Sequence, residues 1–399
     1  MPSNLYGSGG QESLVIKIGD TLKLTSFEDL YEDLPGLEEC LDEELGLFTK
    51  PVKELYALDR RGAWTKVTEL TKMRRLEDLQ YLRINGGDPL LITANHPIIV
   101  SNDEEDVIRA DESTRGAHYR QFRDAMESLT EYEGNISCLD VDFMQHKILN
   151  SYCYDGGLEH HSCKALIDLD EGVKLSMFGY FIGLFLCQGH FIRDQWGELR
   201  AVSVECDTLG LAERIAKGVY DATGASMDVV SHINGYGGVL LFSDNQGLIK
   251  LMAYKLGLRE EPWDRRLPPD ILNYPRTFKL GVFLGYMNGN PDEVEEYANT
   301  IHSNGRAFSN QFSTLARSLG YPGKAAFNEQ PKQYALPKCG YYVRESSKEY
   351  DKAAVEEWNV ISSNYAITNT HLLRKNEYVY GIKTESHSFL MNNTWMYAG

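Results

Sequence analysis

The sequence predicts a multi-domain protein, an all-β domain interrupted by an α+β insert that is itself built from two similar halves. Three observations predict it. Short β-type runs fill residues 13 to 100 and return near the end of the chain. Two strongly apolar, glycine-faced segments stand between them, and each is followed by an amphipathic stretch ending in Leu-Gly, a sign of internal pseudo-two-fold symmetry. The 399 residues suffice for two or three domains, each able to bury a core.

The elements follow in order. Residues 13 to 30 (SLVIKIGDTLKLTSFEDL) alternate around a Gly-Asp turn and read as a hairpin. Residues 31 to 48 are acidic and read as a helical excursion, so 31–52 is expected to be an acidic insertion. From Val52 to Val100 the runs ELYALD, WTKVTEL, QYLRI, PLLITA and PIIV read as strands, broken by Arg60-Arg61-Gly62 and Gly86-Gly87-Asp88. Residues 101 to 150 are polar and read as loops, with a helix from His118 to Met126. At Lys174 the character changes. Residues 174 to 187 form an apolar helix, followed by a strand (LRAVSVEC), an amphipathic helix (LGLAERIAKGVYDATG), a strand (GVLLFS) and a helix (NQGLIKLMAYKLGL). After the Pro-rich LPPDILNYP a second apolar helix spans Phe278 to Asn288, followed by FSNQFSTLARSLG. The tail WNVISSNYAI, EYVYGIKT, HSFLMNN, TWMYAG is β-type again.

Composition excludes several classes. Seven cysteines, without Cys-x-x-Cys spacing, suggest neither a zinc site nor a disulfide framework, and fit a reducing compartment. The start MPSNLYGSGGQ lacks the pattern of a signal peptide, and the longest apolar run, MFGYFIGLFLC, is too short to span a bilayer. A cytoplasmic monomer without membrane partners is expected. The net charge of −18 argues against indiscriminate binding to a polyanion. Between residues 172 and 330, however, 15 basic and 17 acidic side chains nearly balance, so that segment can hold DNA.

Three constellations could carry chemistry. Thr93-Ala94-Asn95-His96 places a hydroxyl and an imidazole three residues apart, where both can address one backbone amide. A lone T-x-x-H is more often a surface histidine beside a turn. His387, ahead of Phe389-Leu390, is by itself best read as a structural histidine. Gly179 and Gly183, like Gly281, Gly285 and Gly289, recur at i,i+4, which frees one face of each apolar helix of side chains. Two such faces can pack backbone to backbone at Gly183 and Gly285, bringing the residues past each helix end together. A glycine-rich core pair without a site has the same spacing.

Taken in order, these pieces resemble an intein carrying an inserted homing endonuclease of the LAGLIDADG type, over nearly the whole chain. Ser8-Gly9-Gly10-Gln11-Glu12-Ser13-Leu14-Val15 resembles the opening block, with Glu12 and Ser13 for its Asp and Thr. LITANHPIIV resembles the second block, with Thr93 and His96 on its T-x-x-H. EYVYGIKTESHSFLMNN resembles the penultimate block, with His387 on its histidine. FGYFIGLFLCQGHF and VFLGYMNGNPDE resemble the two LAGLIDADG helices.

The resemblance implies a horseshoe-shaped Hint splicing domain over 8–150 and 345–398, an endonuclease domain over 172–330, and residues 1–7 as a remnant of host sequence or a tag. The partners it implies are the host protein's exteins and a double-stranded DNA target. Ser8 would attack the carbonyl of Gly7 while Thr93 and His96 strain and protonate that peptide; splicing needs no cofactor. Ser13 is a second candidate for the opening residue. The sequence departs from the family at the far end. Ala398 stands at the terminal Asn and cannot cyclise, Tyr397 replaces the penultimate His, Gly381 replaces an Asp, and Gly399 has no nucleophile. In the insert, Gln188 and Asn290 replace the two acids that would bind a divalent metal such as Mg2+, so no metal is expected at full strength. Asp194 and Asp292 are possible substitutes, and Lys255 and Lys324 are candidates for the basic residue. The expected function is an intein blocked in splicing and impaired as a nuclease. The alternatives are a DNA-binding module without catalysis and an unrelated α/β protein.

Overall fold

The computed structural model describes residues 7–34, 40–42, 46–60, 62–74, 79–82, 88, 90–93, 95–99, 107–109, 118–119, 172–233, 238–259, 261, 264–289, 300–303, 306–319, 323–327, 339–343, 361–362, 367–369 and 378–398. The chain packs into two units, one made of Met1–Thr130 with Ser309–Gly399 and the other of Glu131–Phe308. The division falls inside the helix Arg306–Ser318, ahead of the boundary near 330 that composition suggests.

The first unit is an antiparallel β structure whose pairing joins distant parts of the sequence. Ser13–Ile18 and Thr21–Ser26 form the expected hairpin, with Gly19 at φ 59 in its turn. The long strand Trp64–Arg74 is shared. Its first residues pair with Leu55–Leu58, and the remainder pairs with Leu47–Pro51 on one side and Tyr378–Thr384 on the other. Ser8–Gly9 lies between Leu90–Ile92 and Tyr378–Thr384. The final hairpin, Ser388–Met391 with Thr394–Tyr397, pairs with Ser13–Ile18 through Leu14 and Met391, and with Pro97–Ile99 through Ile98 and Met396. Leu14, Ile16, Phe27, Val67, Ile98 and Met396 fill the core beneath.

The final hairpin turns through Asn392 and Asn393, both with positive φ (46° and 58°). Two such residues match the mirror-image turn that suits strand twist, and Asn tolerates that conformation best among non-glycine residues. Both side chains are also used. The Asn392 amide oxygen accepts from Ser13 N (2.7 Å) and Ser13 Oγ (3.2 Å), and its nitrogen donates to Glu12. Asn393 donates to the buried carboxylate of Asp88 and accepts from Thr314 Oγ1 (3.1 Å), while Ser313 Oγ donates to the same carboxylate. These bonds satisfy polar groups that would otherwise be costly to bury.

Two expectations need correction. The acidic stretch 31–48 is not one helix. A short helix, Phe27–Asp33, starts earlier, capped by Ser26 Oγ on Asp29 N (3.1 Å) with Glu28 and Asp29 in its first turn. It ends where Pro35 forces Leu34 into extended backbone. Cys40–Asp42 and Leu47–Pro51 are then strands, because Leu47–Pro51 finds a free edge on Trp64–Arg74. His118–Tyr119 is likewise a strand rather than a helix start, paired with Ile361–Ser362; the rest of the expected helix lies outside the described residues.

In the second unit, the apolar helices Gly172–Gln188 and Arg276–Gly289 pack along their glycine faces. A Cβ added at Gly183 would overlap the carbonyl oxygen of Val282, and one at Gly285 that of Tyr180. Gly179 and Gly281 face Phe278 and Ser176 in the same way. The backbones therefore touch, as the i,i+4 spacing predicts. After the first helix come His190–Arg193 and Leu199–Cys206, a helix Leu209–Thr223 capped by Thr208 and Gly224, and the hairpin Asp228–Ile233 with Gly238–Ser243. These four strands form one antiparallel sheet, with Leu199–Cys206 and Gly238–Ser243 at its centre. The helix Gln246–Lys250 follows and passes into a π-helical turn, Leu251–Lys255.

The glycine contacts generate a prediction. Gly285→Val should destabilise the unit containing it by about 3 kcal/mol or more, since carbonyl oxygens cannot yield as side chains can. Gly210→Ala, with open space at its Cβ, should be neutral or stabilising by about 0.5 kcal/mol. Urea denaturation followed by hydrogen exchange over 172–289 reads both, and equal effects would contradict the packing.

Candidate functional site

The first site forms where Ser8–Gly9 enters the sheet. Its neighbour Leu90–Ile92 ends at Thr93, and a turn brings His96 back, with His96 N donating to Thr93 O (3.0 Å). Gly7, Ser8, Thr93 and His96 are all buried. Thr93 brackets the residue before Ser8: its N–H donates to Gly7 O (2.9 Å), and its Oγ1 accepts from Gly7 N (3.1 Å). His96 Nδ1 lies 3.3 Å from the same Gly7 oxygen. That contact is a hydrogen bond when Nδ1 carries the imidazole proton. One peptide carbonyl thus has two donors aimed at it, from a backbone amide and an imidazole. Such an arrangement stabilises negative charge on a carbonyl oxygen. Position 7 is tight, because a Cβ there would lie 3.0 Å from Tyr380 O and from Val379 Cβ.

Ser8 Oγ is buried and makes no hydrogen bond among the described residues. The hydroxyl of Ser13, the other candidate, is held by Asn392 Oδ1, and its strand pairs along both edges. Ser8 is the one beside the polarised carbonyl.

The far end of the chain runs beside Pro97–Ile99, where Ile98 stands opposite Met396. Ala398 is fully buried, and its N–H donates to the carbonyl of His387 (2.9 Å). His387, at φ 56, turns the chain there, and its exposed ring stacks on Tyr397 at 6.1 Å between centroids. Thr93 and His96 thus meet at the carbonyl preceding Ser8, and His387 and Ala398 are joined by a backbone hydrogen bond. Gly399 lies outside the described residues.

Burial sets the charge of His96. Desolvation lowers its pKa from the usual 6.5 to about 4, outweighing the hydrogen bond to Gly7, which acts the other way. At neutral pH the ring is uncharged. The unfolded chain binds the additional proton between pH 6.5 and 4, so the stability tied to neutral His96 is complete above 6.5 and lost as pH falls toward 4.

The second site is the carboxyl end of Gly172–Gln188. The Gln188 side chain is turned toward the neighbouring strand, where its Nε2 donates to Glu205 O (2.6 Å). Arg265, which the sequence reading did not single out, reaches the helix end from the segment joining the two halves. Its guanidinium donates to the carbonyl oxygens of Leu186 (2.8 Å), Cys187 and Gly189 (3.1 Å). Asp194, a proposed substitute acid, binds Arg200 at 2.7 Å and accepts from the amides of Trp196 and Glu198. It organises its own hairpin instead. Cys187 is held as a thiol, its pKa pushed up to about 12 by burial. Among the described residues no group of three or more His, Cys, Asp or Glu side chains is placed to hold a metal ion. Lys255 closes the π-helical turn and Lys324 lies on Gly323–Phe327. Asn290 and Asp292 lie outside the described residues.

No family model and no curated protein matches the chain. Solved structures do. A crystal structure of an intein from a hyperthermophile matches over 29% of this chain and 72% of its own, at 17% identity and a TM-score of 0.27. The transcription factor IIB Mvu mini-intein matches over 29% and 69%, at 18% identity and 0.27. I-DmoI, crystallised with DNA and Mn, matches over 43% and 90%, at 11% identity and 0.33.

The burial of His96 predicts a pH effect. Stability should fall between pH 6.5 and 5 in the parent chain, by up to a few kcal/mol in total, and fall less in His96→Gln. Urea midpoints at half-unit intervals measure this, and identical slopes would contradict a buried neutral imidazole.

Proposed function

We propose that the chain is an intein, a Hint splicing domain with an inserted LAGLIDADG homing-endonuclease module, in which the ester-forming half of splicing is retained and the release half is blocked. The observation that carries the reading is the Gly7 carbonyl, held by Thr93 N–H and His96 Nδ1 beside the buried hydroxyl of Ser8. Ser8 Oγ attacks the Gly7 carbonyl carbon and loses its proton. The oxygen becomes an oxyanion, and the two donors stabilise it. Collapse breaks the Gly7–Ser8 C–N bond, the Ser8 nitrogen takes up the proton that Oγ gave, and residues up to Gly7 are left as an ester on Ser8. The bond from Gly7 N to Thr93 Oγ1 fixes the acyl group's orientation throughout.

Release of the far end requires a side-chain amide at position 398 that can attack its own carbonyl. Ala398 has none, and Gly399 offers no hydroxyl or thiol to take over the acyl chain. His387, stacked on Tyr397, is the residue that would assist that step. The segments 8–150 and 345–398 are read as the splicing domain, residues 1–7 as host sequence, and the insert as beginning at 172. The insert is read as a double-stranded-DNA-binding module that does not cut. What favours this over a nuclease is the neutral Gln188, tied to Glu205 O at the place where the family has an acid.

Hydroxylamine at neutral pH cleaves esters, and its slower attack at Asn-Gly, present at 85–86, 234–235, 288–289 and 304–305, gives fragments of other masses. Treating the chain as it stands should release residues 1 to 7, detected by mass spectrometry. Ser8→Ala should abolish release, His96→Ala should slow it by about 100-fold and Thr93→Ala by about 10-fold. Release that persists in Ser8→Ala would refute the assignment. With Ala398→Asn and Gly399→Ser together, the excised fragment Ser8 to 398 is expected.

A further inference from the structure

Arg265 sits on the bridge between the two halves of the insert, yet its guanidinium is the group that closes the first glycine-faced helix. It is only 6% exposed. It donates to three carbonyl oxygens at that helix end, those of Leu186, Cys187 and Gly189. A helix carboxyl terminus carries partial negative charge and unsatisfied carbonyls, and an arginine satisfies both demands at once. Glu261, Tyr286 and Cys187 act on Arg265 electrostatically. Asp264 binds Arg259 (2.9 Å) and lies 3.6 Å from Arg266, and Asp194 binds Arg200.

A divalent metal at this helix end would need the same oxygens. Hard cations take six or more oxygen ligands, including carboxylates, and backbone carbonyls beside an acid are natural members of such a set. The residues present do not fit one. Position 188 carries a neutral amide turned to Glu205, and the neighbouring carbonyls already accept from a permanent cation.

We propose that Arg265 is the resident cation of this helix end, occupying the carbonyls a divalent ion would use, so that metal is excluded by Arg265 as well as by the missing acid at Gln188. The proposal rests on reading the insert as endonuclease-derived. Its consequence is specific: restoring an acid at 188 produces an ion pair with Arg265, and no metal site forms until the arginine is also removed. Gln188 and Arg265 are a matched pair, and neither change alone recreates the ancestral chemistry. Arg265 is a positioning residue here, since it acts by holding backbone oxygens.

The test is Mn2+ binding by the full chain, read from the loss of the free-ion electron paramagnetic resonance signal. Four proteins are compared: the parent, Gln188→Asp, Arg265→Met, and the double variant. Weak binding by surface carboxylates is common to all and is subtracted as the parent's curve. The proposal expects Gln188→Asp to add no site over the parent and to raise the melting temperature through the new ion pair. The double variant should gain one site at least tenfold tighter than the background. Should Arg265→Met fail to fold, Gln188→Asp/Arg265→Gln serves in its place, because its amide can still donate to one carbonyl. A tight Mn2+ site in Gln188→Asp alone overturns the proposal, as does the lack of a new site in every double variant. Neither result bears on the hydroxylamine experiment, which reports on Ser8 and the splicing domain without involving the insert.

Discussion

The hold on the Gly7 peptide is the constraint on which the β unit depends. Thr93 N–H and His96 Nδ1 contact the Gly7 carbonyl oxygen, and Thr93 Oγ1 accepts from Gly7 N, one peptide upstream. None of these contacts can form unless residue 8 is threaded between strands from residues 90–92 and 378–384. The fold meets that demand with the polar pins at its last turn. Asn392 binds Glu12 and Ser13, just downstream of Ser8, while Asn393 binds Asp88, just upstream of Thr93. The last hairpin thereby fixes the two segments that make the site, and pairs with the strand after His96 through Ile98 and Met396. Burial then does the electrostatic work. It keeps His96 neutral, so the ring can present a proton to a carbonyl without bringing a charge into the core.

The second unit follows a different rule, in which the absence of side chains is the organising feature. At Gly179, Gly183, Gly281 and Gly285 the two helices meet through backbone, with no room for a Cβ between them. The carboxyl end of the first helix presents carbonyls that favour a positive charge. Arg265 is the charge that occupies it.

Much of this was legible in the sequence, for identifiable reasons. The glycine spacing specifies a face, and the face has only one use in a buried helix pair. Leu199–Cys206 and Gly238–Ser243 match the runs LRAVSVEC and GVLLFS, because both alternate cleanly. Ser8, Thr93, His96, His387 and Ala398 could be read by order along the chain, although the strand pairings that position them join residues hundreds apart. Leu47–Pro51 was not legible, since its acidic surroundings favour helix locally and only the open edge of Trp64–Arg74 makes it a strand. Arg265 was equally hidden. A lone arginine in a Pro-rich connection carries no local signal, and its role exists only because the chain folds back onto a helix end.

The central claim, that the Gly7 carbonyl is polarised by Thr93 and His96, can be tested by isotope-edited infrared spectroscopy with 13C at the Gly7 carbonyl. The account predicts an absorption at lower frequency than a singly hydrogen-bonded strand carbonyl. It should move to higher frequency in His96→Ala and stay in place in His387→Ala. A band unchanged by loss of the His96 ring would mean that the imidazole does not act on this peptide, and the account of the site would fail with it.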